Sequence, residues 1–171
     1  MQLRLNAPNI MMGNRDEMCT AVELDTTSDY ASLWPNCGKI NAVAIPAVMK
    51  GCEIAAIFSL HDAYQPLTNT YKALLFRFET FDLVIQLTSR SNGLSFLIGA
   101  VDDNNCYTEL SRQNECLYWH LNPSTNHFVG EKVCEIRMDA RQDGRFTTGL
   151  KIVFEYGSVY VKSSLVYRVE E

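Results

Sequence analysis

"FRFETFDLVIQLTSRSNGLSFLIGA", residues Phe76 to Ala100, changes the parity of its apolar residues twice. Phe76 and Phe78 are even, Phe81, Leu83, Ile85 and Leu87 are odd, and Leu94, Phe96, Ile98 and Ala100 are even again. Strict alternation is the mark of a strand with one face on a core. Thr80 to Thr88 therefore reads as a half-buried strand, with Asp82, Val84, Gln86 and Thr88 on a mixed outer face. Asn92-Gly93 supplies the left-handed dihedrals of a reversal, and Leu94 to Val101 returns as the partner strand. Glu79-Thr80 contains no turn former, so the first slip of parity predicts a β-bulge inside one long strand.

The same grammar extends outward. Cys134, Ile136 and Met138 alternate, Asp143-Gly144 marks a turn, and Leu150, Ile152, Phe154 and Tyr156 alternate again. Gly157-Ser158 fits a type II′ turn, after which Val159, Val161, Leu165, Tyr167 and Val169 read as one long closing strand. Cys52 to Leu60 is a continuous apolar run, as expected of a strand covered on both faces. Glu17–Leu24 and Ile40–Met49 are read as strands, the second confined to an edge or bulge by Pro46. Asp25 to Gly38 reads as a connection with room for one helical turn from Ser28, and Leu3 and Leu5 as one face of a short strand. Thr108 to Asn122 divides into a loop or helix followed by a strand carrying Leu117, Trp119 and Leu121. About nine strands with turns between them predict an all-β fold: a single-domain antiparallel β-sandwich over residues 1–171, with a jelly roll as one candidate topology.

At 171 residues, with 47% hydrophobic and 20% charged, the chain is long and apolar enough for a full core. A net charge of -5 argues against strong direct binding of nucleic acid through phosphates, and against a polybasic membrane contact. No apolar run reaches the ~20 residues of a spanning helix. The first residues, MQLRLNAPN, lack the hydrophobic stretch of a signal peptide. Six scattered cysteines without a CxxC pair predict thiols in a reducing, intracellular setting.

Nucleotide-loop, zincin and nucleophile-elbow motifs are missing from the sequence, and no cofactor is expected. Cys116, His120, His127 and Cys134, with Cys106 upstream, are the densest set of potential metal ligands. Their spacing matches no usual finger or ribbon, and packed thiols with surface imidazoles are the preferred reading. Cys37 in PNCGK could act as a nucleophile with His61 as base and Asp62 nearby, or simply occupy a turn. Asp102–Asn105 gathers oxygen ligands at a strand end, in the manner of a calcium or sugar loop or of ordinary solvated turn chemistry. Tyr107, Tyr118 and Trp119 could form a carbohydrate platform or belong to the core. Lys132, Arg137, Arg141, Arg145 and Lys151 interleave with Glu135, Asp139 and Asp143, which reads as a salt-bridged outer face.

Three functions fit. The first is a non-enzymatic assembly protein, such as a jelly-roll coat subunit of a virion, self-associating through Val84, Tyr160 and Val166 on predicted outer faces. The second is a lectin-like binding module using the Asp102–Asn105 loop, and the third a Cys/His enzyme. Sandwiches host all three, so the site must decide.

Overall fold

The computed structural model describes residues 23–24, 34, 36–63, 70–87, 93–101, 110–112, 115–121, 123–162 and 167–170. In chain order the strands are β1 (Glu23–Leu24), β2 (Gly38–Ile40), β3 (Ile54–Asp62), β4 (Thr70–Tyr71), β5 (Ala73–Phe78), β6 (Phe81–Leu87) and β7 (Leu94–Ala100). They continue with β8 (Leu110–Arg112), β9 (Glu115–Leu121), β10 (Glu135–Ala140), β11 (Thr147–Val153), β12 (Ser158–Lys162) and β13 (Tyr167–Glu170). One helix, α1 (Ile45–Met49), follows a 3-10 turn at Ala42–Ala44. A seven-stranded sheet has the order β2-β7-β6-β5-β3-β9-β8, and a four-stranded sheet the order β10-β11-β12-β13. Both are antiparallel, whereas the short pair β1-β4 is parallel.

The two sheets close on one apolar layer, which makes the fold an all-β sandwich. Leu74, Phe76, Phe78, Leu83, Ile85 and Phe96 of the large sheet meet Leu150, Ile152, Val159 and Val161 of the small one. Fully burying such side chains contributes roughly 1.5–3 kcal/mol each, so a one-residue slip of β6 would lose several at once. The chain crosses between sheets through a 3-10 segment, Pro123–Phe128, whose Phe128 is buried and stacks on Phe154 at 4.6 Å. Gly130, with φ +87°, then turns the chain so that its amide donates to Ile54 O at 2.8 Å.

The large sheet draws its strands from residues 38–121 and the small one from residues 135–170. A jelly roll interleaves two Greek keys. The small sheet is a meander, whereas in the large one β2 pairs with β7 and β3 with β9 across longer connections, and the described strands of these two sheets do not interleave as those of a jelly roll do.

Several sequence expectations hold. Phe81 pairs with Ala100 and Leu87 with Leu94 in the expected hairpin, and β3 lies inside the sheet with both faces covered. The β11–β12 hairpin is also formed.

Others are corrected. Glu79-Thr80 is not a bulge within a strand but the two-residue connection of a β5–β6 hairpin, in which Arg77 pairs with Asp82. A two-residue reversal flips parity just as a bulge does, and the turn is tied by its neighbours instead of by turn-forming residues. Arg77 donates from Nε to Asp82 Oδ1 and from its terminal nitrogen to Oδ2, both at 2.9 Å, and Phe78 stacks on Phe81 at 4.5 Å. The outer face of β6 is not half-exposed either. Val84 is 0% and Asp82 2% exposed, because the large sheet buries a second cluster on its back face, with Trp34, Phe58, Leu60, Leu75, Leu97 and Trp119. The Arg77 guanidinium lies over the Phe58 ring there, at 5.6 Å.

Ile40–Met49 is mostly helical, with Asn41 accepting from Val43 N and Pro46 in the first turn of α1, where its missing N–H is harmless. The first part of Thr108–Asn122 contains strand β8, paired with β9. The C-terminal strand is two, β12 and β13, paired with each other, so Val159 faces Val169. At the β11–β12 turn Phe154 N donates to Gly157 O, leaving Glu155-Tyr156 as the central residues, and Gly157 has no positive φ. The readings at residues 1–22, Ser28, Asn92, Leu165 and Val166 lie outside the described residues.

The buried ion pair yields a testable consequence. Arg77→Met strands the Asp82 carboxylate in the back-face core and should cost about 3–5 kcal/mol of unfolding free energy in urea. Adding Asp82→Leu should restore most of it. An equal loss in both variants would show that packing, not the unpaired charge, sets the cost.

Candidate functional site

The four residues of the sequence-derived metal set do not converge. Cys116 and His120 share a face of β9, as alternation requires, but four residues of strand hold their Cα atoms roughly 13 Å apart. His127 is exposed in the crossover segment with its ring on Phe128 at 4.0 Å. Cys134 is exposed beside β10, its thiol donating to Lys132 O at 3.7 Å. Among the described residues no group of three or more His, Cys, Asp or Glu is arranged to hold a metal ion.

The Cys37–His61 pairing is also dissolved by the fold. Cys37 sits on the back face over β7, where a Cβ on Gly99 would lie 2.7 Å from its sulfur. His61 lies on the opposite face of β3, three strand spacings away, or roughly 14 Å. None of the four described cysteines, Cys37, Cys52, Cys116 and Cys134, forms a disulfide. Asp102–Asn105, Cys106 and Tyr107 lie outside the described residues. Trp119 belongs to the back-face core, its ring 5.7 Å from that of Trp34.

What the fold brings together is a different set. In the β3–β9 ladder Ser59 pairs with His120 and His61 with Tyr118, while Leu60 and Asp62 face the other way opposite Trp119 and Leu117. Ser59, His61, Cys116, Tyr118 and His120 thus share the inner side of the large sheet. The apolar layer there takes Ile54 and Ile57 from β3 and nothing from β9. Beyond it, His61, Cys116, Tyr118 and His120 are all half-buried. The two imidazoles meet edge to face at 4.9 Å, Tyr118 lies 6.3 Å from His120, and the Cys116 thiol is 3.3 Å from Tyr118 Oη.

Burial, then the neighbouring His120, lowers the His61 pKa from 6.5 to about 4. Burial lowers His120 as well. Both rings are therefore neutral at pH 7, each with one N–H donor and one nitrogen acceptor. Together with a phenol, a thiol and a hydroxyl they form a hydrogen-bonding patch without formal charge. Sequence reasoning assigns His61 and His120 to separate sites. Their pairing depends on β3 and β9 being neighbours, a relation between residues 54–62 and 115–121 that alternation does not carry.

Comparison of the chain with protein-family models, with curated proteins and with solved structures finds no match. No helix among the described residues is long and apolar enough to cross a membrane.

The histidine pair makes stability pH-dependent in a definite direction. Below its ordinary value the unfolded chain binds a proton at His61 that the folded chain refuses until about pH 4. The contribution is whole above pH 6.5 and is lost as pH falls towards 4. It amounts to at most about 3 kcal/mol, less whatever solvent reaching the half-buried ring returns. Urea unfolding from pH 7.5 to 4 should show this slope, and His61→Gln should flatten it. Parallel slopes for the two proteins would assign the acid sensitivity elsewhere.

Proposed function

We propose that the protein is a non-enzymatic ligand-binding module whose site is the inner face of the β3–β9 ladder, and that its ligand is small, polar and uncharged. The reading is carried by one observation, the contact of His61 with His120 beside Tyr118 on a stretch of sheet outside both apolar clusters. Buried polar groups are costly unless they are hydrogen-bonded, and half-buried groups at a sheet end are where a few oriented donors and acceptors select a ligand. Neutral imidazoles and a phenol suit hydroxyl, amide or ether groups better than a charged one.

Self-association has less to support it. Val84 is sealed in the chain's own core, Tyr160 hydrogen-bonds Asp139, and Val166 is outside the described residues. The described strand order, in which the large and small sheets do not interleave, gives no support to a jelly-roll coat subunit. A Cys37–His61 enzyme has its two groups on opposite faces of a sheet. A net charge of -5 supports a small-molecule partner over nucleic acid or an anionic membrane, and thiols outside disulfides support a reducing compartment.

The test is to follow the imidazole C–H resonances of His61 and His120 at neutral pH while adding neutral polyols, primary amides and nucleosides one class at a time. At least one class should shift both signals saturably. The effect should vanish in His120→Ala and weaken in acid as the rings charge. Imidazole signals that stay fixed across the whole set would overturn the reading.

A further inference from the structure

Among the described residues β10 pairs with β11 and with no other strand, so it is an edge of the small sheet. The hairpins on either side fix which of its backbone groups are left over. Phe154 N donates to Gly157 O, so Phe154 turns its backbone groups away from β10. In an antiparallel ladder successive residues turn to opposite sides, so Ile152 and Leu150 serve β12 while Val153 and Lys151 serve β10. Their partners Glu135 and Arg137 therefore bond to β11. At the far end Arg141 N donates to Phe146 O, which keeps the same parity. Ile136, Met138 and Ala140 thus present their N–H and C=O groups to the open edge. The register shift in this ladder inserts Thr148 on β11, between Thr147 and Gly149, so β10 itself stays regular.

An unpaired edge is a template for another strand, and the side chains along it select the partner. Ile136 and Met138 pack against the core layer, so by alternation Glu135, Arg137, Asp139 and Arg141 share the other face, where all four are exposed. Their order is acid, base, acid, base. Laid antiparallel against itself, that order is opposite in charge at every position. With a two-fold axis at Met138, Glu135 stands opposite Arg141 of the second copy and Arg137 opposite its Asp139, and each pair occurs twice. The same register sets Ile136 opposite Ala140 and Met138 opposite Met138. The residues whose backbone groups point outward therefore meet one another, which gives about six new backbone hydrogen bonds, two for each facing pair. The apolar side chains of Ile136 and Met138 continue the core layer across the axis. The other edge of the small sheet, β13, offers only Arg168 and Glu170 as charges, and pairing it with β10 would be head to tail and would not close.

We infer that the protein forms a closed dimer through β10, antiparallel about Met138, which joins two four-stranded sheets edge to edge into one continuous sheet. The partner is a second copy of this chain. The contact is made by a strand edge and not by the outer-face positions Val84 and Tyr160, and it goes beyond the binding reading because β3 and β9 belong to the other sheet. Charge pairs on an exposed face are screened by salt, with a Debye length of about 8 Å at physiological ionic strength, so the dimer is favoured at low salt.

The experiment is sedimentation equilibrium of the full chain at low salt, from roughly 10 µM to roughly 1 mM, with amide hydrogen exchange at both ends of that range. The mass should move from one chain towards two and no further. Exchange at Ile136, Met138 and Ala140 should slow with it, while Arg137, already bonded to β11, changes little. Paired charge variants test the register. Glu135→Arg with Asp139→Arg makes the edge wholly basic, and Arg137→Glu with Arg141→Glu makes it wholly acidic. Each variant alone should weaken the dimer by roughly tenfold or more, and mixing the two should restore a heterodimer. Asp139 also holds Tyr160, so if the basic variant unfolds, Ala140→Pro serves instead. It removes one outward N–H at an exposed edge position, spares the β11 ladder and should weaken the dimer several-fold. A mass that stays at one chain would overturn the inference. So would variants that dimerise as well as the parent, a mixture without heterodimer, or a mass that grows without limit, which would place β13 against β10.

Discussion

The bidentate bond between Arg77 and Asp82 is the constraint around which the large sheet is organised. It pins the tight β5–β6 reversal and so sets the register of the two central strands, which brings Leu74 opposite Ile85 and Phe76 opposite Leu83 on the inner face. Because both partners are almost fully buried, the pair also requires that the back face be closed. Two charges leave water only where each satisfies the other, and a fork-to-fork geometry is the arrangement that does so. Trp34, Phe58 and Trp119 complete that closure. At β5 and β6 a sheet whose alternation suggests one wet side is dry on both.

That doubled burial shapes where chemistry is available. Over β5 and β6 the inner face is sealed by the small sheet and the back face by its own cluster. Towards β9 the inner face carries histidines, a tyrosine and a thiol instead of aliphatic side chains. The small sheet turns Leu150, Ile152, Val159 and Val161 into the core, and its other face carries Arg137, Lys151 and Tyr160. The proposed β3–β9 site lies where the inner face of the large sheet passes beyond its apolar layer.

The stretch from Phe76 to Ala100 illustrates how far alternation reaches. Period-two burial located β6 and β7 and paired Phe81 with Ala100, because side chains on a pleat have no choice of face once one is buried. It misjudged Glu79-Thr80, since a bulge and a two-residue turn shift parity alike and the residues that tie this turn, Arg77 and Asp82, look like an ordinary surface pair. Pro46 misled for a related reason: it disfavours a strand centre and favours the first turn of a helix, and only the Asn41 cap distinguishes the two. Val84 and Tyr160 both read as outer-face residues by alternation, yet Val84 is sealed in the back-face cluster and Tyr160 is half-buried.

By itself the sequence determined the all-β class, a central strand within Cys52–Leu60, and the β6–β7 and β11–β12 hairpins. Each rests on interactions between near neighbours in the chain or on the period of burial. The tertiary structure alone decided that His61 meets His120, that Cys37 and His61 lie on opposite faces, and that Tyr160 reaches Asp139 across Gly149. Those relations depend on strand order and on which faces the sheets cover. Alternation records that a face is buried, but not what buries it.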